Sequence, residues 1–113
     1  MDGQLSRKKV IGSPIYEESL ERTFVEDIER FGMFQARKYL EHILNTVEKL
    51  ENDYPYYPEC RHLTTKSRMY QNIILDSHLI IYRITKERIE VLDIVHSASS
   101  MRKIKKTRNI HIE

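Results

Sequence analysis

Between Arg68 and His96 the chain reads RMYQNIILDSHLIIYRITKERIEVLDIVH, three apolar, β-branched runs parted by Asp76-Ser77 and Lys86-Glu87. Runs of this length and composition, bounded by turn-type residues, predict strands. Breaks of about two residues leave room only for hairpins, so an antiparallel meander is expected. Ahead of it the period changes. Lys8-Lys9-Val10-Ile11-Gly12 is a short strand candidate, and Ser13-Pro14 then starts a helix, with Ser as N-cap and Pro where its missing N–H costs nothing. Leu20, Phe24, Ile28 and Phe31 recur at helical spacing and predict one buried stripe, ended by Gly32.

A second helix is expected over residues 33–52. Ala36, Leu40, Ile43, Leu44, Val47 and Leu50 mark its apolar face. With only Gly32 between them, the two helices form an antiparallel hairpin that lids the sheet. The segment Asn52-Asp53-Tyr54-Pro55-Tyr56-Tyr57-Pro58 stops the second helix, because a proline pushes its predecessor out of the helical region. Its tyrosines are read as packing at the helix–sheet rim. Residues 60–67 form a polar connection, and Met101–Arg108 reads MRKIKKTR, five cations in eight residues. The resulting division is an arm over 1–7, one domain over 8–100 and a basic tail over 101–113, in which Met101 and Ile104 offer anchors for one helical turn.

With 113 residues and 40% hydrophobic content, the chain is one α+β domain with a core of useful size. No apolar run approaches the roughly 18 residues of a membrane span, so a cytoplasmic protein without membrane partners is expected. Cys60 is the single cysteine. No Cys/His spacing suits zinc, and no metal or cofactor is expected. The net charge of +2 hides a division. Residues 1–59 carry 8 Lys/Arg against 12 Asp/Glu, and residues 60–113 carry 11 against 5. A basic second half implies an anionic partner, either nucleic acid or an acidic protein segment.

The ordered set of features resembles the RelE/ParE superfamily of toxins from toxin–antitoxin operons, which includes plasmid stabilisation proteins. The similar pieces are the first strand ending in Ser13-Pro14, the hairpin closing with Val47-Glu48-Lys49-Leu50 and Tyr54-Pro55, and Arg68. They continue through Leu79–Ile84 and Ile89–His96 with its terminal His. The resemblance implies that the first strand joins the sheet of the meander and that both helices pack on one face. It also implies a toxin silenced by a cognate antitoxin with an acidic segment, as a homodimer or a heterotetramer with that antitoxin. RelE-like members cut messenger RNA on the ribosome without metal; ParE-like members lack that activity and often poison DNA gyrase. A plain nucleic-acid-binding module is a third reading.

Metal-free RNA cleavage needs the 2′-hydroxyl deprotonated, phosphate charge stabilised and the leaving oxygen protonated. Arg61, Arg68, Arg83 and His96 are the catalytic candidates, with Lys66 a further cation beside them. Pairing about the two breaks sets Arg68 opposite about residue 85 and His96 opposite about residue 77, so Arg68 and Arg83 share one sheet end and His96 the other. That separation argues against one compact site. Lys66, Arg102, Lys103, Lys105, Lys106 and Arg108 are candidates for nucleic-acid or antitoxin contact. Asp93, inside an apolar strand, is expected to be structural and partnered. The connection lacks a dense Lys/Arg cluster, and no Glu is expected beside Arg68 as a base. Both features favour the ParE-like branch.

Overall fold

The computed structural model describes residues 6–113. Its elements are β1 (Lys9–Gly12), α1 (Pro14–Phe31), α2 (Met33–Glu48), α3 (Leu50–Asp53), β2 (Tyr70–Ile74), β3 (His78–Ile84), β4 (Arg88–His96) and α4 (Met101–Lys106). Short 3-10 turns follow α3 and α4. The sheet runs β1-β4-β3-β2, with β1 parallel to β4 and the other pairs antiparallel. This is the expected meander, and β1 lies in its sheet. Among the described residues no helix is long and apolar enough to cross a membrane.

Local chemistry explains the element ends. Ser13 Oγ accepts the Tyr16 N–H at 2.9 Å and donates to the Leu92 carbonyl at 2.6 Å, so one buried hydroxyl caps α1 and pins it to β4. Leu92 is the extra residue of a β-bulge, for Ile81 pairs with Asp93 while Tyr82 pairs with Val91. Gly32, at φ 87°, takes the left-handed backbone that separates α1 from α2. The second helix stops earlier than expected. The α-helix ends at Glu48, and a turn at Lys49 leads into the four-residue α3.

The stripe expected on α1 is only partly buried. Leu20 and Phe24 line the α1–α2 seam with Ala36, Leu40 and Ile43, whereas Phe31 is 63% exposed. The residues of α1 that are buried are Tyr16, Ser19, Thr23 and Asp27, one turn-spaced row beside the apolar one. Leu44 of α2 also faces solvent.

Both faces of the sheet are covered. On the hairpin side Tyr16, Ile43, Leu50 and Tyr54 pack on Ile73, Ile80, Tyr82, Ile89, Val91 and Ile94. On the other side Cys60, Leu63 and Ile104 pack on Ile81, Leu92 and Val95. Each large apolar side chain so buried contributes about 1.5–3 kcal/mol. The segment from Met101 onward therefore folds back on the sheet instead of trailing from it. Of the rim tyrosines, Tyr54 and Tyr57 pack inward and Tyr56 is exposed. The first five residues of the expected arm lie outside the described residues. Ser6, by contrast, accepts a hydrogen bond from the Tyr54 hydroxyl at 2.9 Å.

Candidate functional site

Register decides which candidates can meet. Tyr70 pairs with Arg83, so Arg68 lies near the Ile84–Thr85 end of β3. His96 pairs with His78, at the opposite end. The count without a bulge puts His96 opposite residue 77; the extra Leu92 advances it by one. The expected separation of Arg68 and Arg83 from His96 is what the strands display.

Arg83 is 8% exposed, and each of its three nitrogens donates a hydrogen bond. Nε donates to Glu90 Oε1 at 2.7 Å, Nη2 to the Ile110 carbonyl at 2.7 Å, and Nη1 to the Arg108 carbonyl at 3.3 Å. The other oxygen of Glu90 accepts from Arg88 Nε at 2.9 Å, and Arg88 Nη2 reaches the Ile112 carbonyl. Burial opposes ionisation of Glu90, but the hydrogen bonds and charges of Arg83 and Arg88 outweigh it and hold its carboxyl below the usual range. Arg83 is thus the clasp of the C-terminal segment. Its guanidinium lies beneath that segment and not open to a phosphate.

Arg68 is exposed and adopts φ 57°, with Glu59 Oε1 at 3.5 Å from its Nε. A glutamate does therefore stand beside Arg68, brought there by the connection from the end of the helical half. Arg61 and Lys66 are exposed on the same connection. The cations of α4 and its following turn, Arg102, Lys103, Lys105, Lys106 and Arg108, are exposed as well, and none is ion-paired among the described residues.

At the other sheet end a cleft of about 1040 Å³ opens between the hairpin and the β2–β3 turn. Arg22, Asp27, Tyr39, His78, His96 and Lys103 line it. Tyr39 Oη and His78 Nδ1 are hydrogen-bonded at 2.9 Å, and the His78 and His96 rings meet edge to face with centroids 5.6 Å apart. The Ala98 N–H donates to His96 Nδ1 at 3.1 Å, which leaves the proton of the neutral ring on Nε2. Burial lowers the pKa of His78, against the pull of Asp27. Burial likewise raises Asp27, with His78 acting the other way. His78, Tyr39 and Asp27 were not singled out by the sequence. The available signal was the Ser19–Thr23–Asp27 row, polar residues at four-residue spacing on one helix face.

Asp93 is buried and accepts the Ile94 N–H at 2.8 Å.

Residues 17–101 match the family described as the ParE toxin of type II toxin–antitoxin system, parDE. The chain belongs to the ParE toxin family. One solved structure, from the chromosomal ParDE toxin–antitoxin system of P. aeruginosa, superposes with a TM-score of 0.66 at 14% identity. That match covers 80% of this chain and 96% of the other, and at such identity it speaks for the fold. No match was found among curated proteins. The ParE-type placement of β1 beside the meander, and of the hairpin on one face, agrees with the resemblance drawn from the residues.

Proposed function

We propose that this ParE-family chain is a cytoplasmic toxin that slows growth by binding a protein target such as DNA gyrase, and that a cognate antitoxin with an acidic segment neutralises it. The observation that carries the binding reading is the fate of Arg83. Of the candidate arginines, the one inside the sheet, Arg83, is buried against Glu90 and the C-terminal carbonyls. Its partner candidate His96 lies at the far end of the strands. Binding needs no such convergence. It needs apolar anchors, and the hairpin tip supplies Phe31, Met33 and Phe34, all at least half exposed.

A second reading, RNA cleavage, draws on the cleft, where Tyr39, His78 and His96 stand near Arg22 and Lys103. The two readings separate in one experiment. Under tightly controlled expression, the binding reading expects growth arrest, intact transcripts and blocked gyrase supercoiling. Transcripts that are cut, and are spared by His96→Ala, transfer the activity to the cleft. Normal growth at full expression defeats the toxin reading altogether. Rescue by co-expression of an acidic protein encoded alongside this chain tests the antitoxin.

A further inference from the structure

The helix α4 carries more positive charge than its own stability explains. A cation near a helix C-terminus complements the macrodipole, and Lys105 and Lys106 do so. Lys103 also falls in the last turn, but Arg102 stands in the first, where positive charge opposes the dipole, and no acidic residue accompanies it there. The folding work of the helix is done by other residues. Ser100 Oγ caps it by accepting the Lys103 N–H at 3.2 Å, and Ile104 is buried on the sheet. What remains is a row of cations held outward. Arg102, Lys105 and Lys106 fall at helical neighbour spacing, and with Arg108 they ring a shallow pocket of about 390 Å³ completed by Met101 and Asn109. No carboxylate among the described residues lines it. The connection bearing Arg61 shares the same core cluster through Cys60 and Leu63, which adds a further exposed cation to this side of the sheet.

We infer that this surface binds the phosphodiester backbone of duplex nucleic acid, without regard to sequence. Two anionic macromolecules compete for such a patch, and the apolar content chooses between them. A docked acidic peptide needs buried aromatic or aliphatic anchors as well as charge. The only large apolar side chain exposed on α4 is Met101, while the exposed phenylalanines lie on the hairpin tip. A phosphate backbone asks for little besides closely spaced cations. The inference does not depend on the identity of the toxin's protein target, since it concerns purified chain and nucleic acid alone.

The test is fluorescence anisotropy of the full chain with a labelled mixed-sequence duplex of about 20 base pairs, titrated between about 50 and 200 mM salt. Binding is expected with a dissociation constant of about 10⁻⁴–10⁻⁶ M at physiological salt, and with affinity that falls steeply as salt rises. The triple variant Arg102→Glu, Lys105→Glu, Lys106→Glu weakens it at least about tenfold. The milder Lys105→Gln, Lys106→Gln pair lowers the salt slope by about 2, roughly one per cation removed. Circular dichroism confirms that both variants keep their fold, and Arg37→Glu on the hairpin leaves duplex binding as it was. Absence of binding at about 50 mM salt overturns the inference, as does binding that survives the triple variant. Capture of a poly-glutamate peptide in preference to the duplex overturns it in favour of an acidic protein partner.

Discussion

Arg83 and Glu90 face each other across β3 and β4 with both side chains almost wholly out of water. A charge so placed is tolerable because every nitrogen of Arg83 and both oxygens of Glu90 find a partner, and removing one partner leaves the other stranded. Glu90→Gln should therefore lower the unfolding free energy at neutral pH by about 3 kcal/mol, read from urea denaturation. The pH dependence has a definite sign. The folded-state pKa of Glu90 lies below its ordinary 4.5, so the stabilisation is complete above that value and fades as pH falls through the lower, folded value. The variant should lose that part of the acid limb; an unchanged limb would remove Glu90 from the account. Tyr16 is the opposite case. Its hydroxyl is buried with no hydrogen-bond partner among the described residues, and burial, aided by Glu17, pushes its pKa up to about 12. Tyr16→Phe removes an unsatisfied polar atom and keeps the ring, so a gain of about 1 kcal/mol is expected. A loss on urea denaturation would mean that the hydroxyl is satisfied.

Elements divide into those that stand on their own pattern and those that stand on a contact. The α1–α2 hairpin has caps at Ser13 and Gly32 and a continuous seam. Six-residue α4 is too short to persist alone, since helix nucleation costs more than so few hydrogen bonds return. It depends on Ile104, which is buried against the second face of the sheet. Ile104→Ala should cost about 2–5 kcal/mol. Hydrogen exchange should show protection lost first over residues 101–113 and kept in the hairpin; uniform loss would make α4 part of one indivisible unit. β1 depends on a close approach. A Cβ on Gly12 would lie 2.8 Å from Tyr16 Cδ2, so the first turn of α1 packs directly over the strand end.

Across the whole molecule, the C-terminal segment joins parts that are distant in the chain. Arg83 and Arg88 of the sheet hold the carbonyls of Arg108, Ile110, Ile112 and Glu113. Those bonds fix the segment that carries α4, and with it the cations, over a second small core. The hairpin on the other face presents apolar side chains at its tip. The fold thus sorts its surface by chemistry, exposed apolar side chains at one place and charge at another. A chain cut after Lys106 would forfeit every one of these carbonyl acceptors. It should bind a hydrophobic dye strongly and unfold with a lower denaturant midpoint; dye binding like that of the full chain would show that the second core is sealed without the segment.

The local patterns by themselves determined the meander, the hairpin, the Ser13 cap, the Gly32 break and the division of charge, because each depends on neighbours within a few positions. Even the distance of His96 from Arg68 and Arg83 was legible, since strand register follows from turn position. Only tertiary structure decided that Leu92 bulges, that Glu59 meets Arg68, that Arg83 clasps the C-terminal segment, and that Tyr39, His78 and Asp27 gather beside His96. The last two join residues far apart in the chain, and the first two turn on how one segment settles against another. No local periodicity encodes such meetings, for they arise only when the segments pack against the sheet and one another.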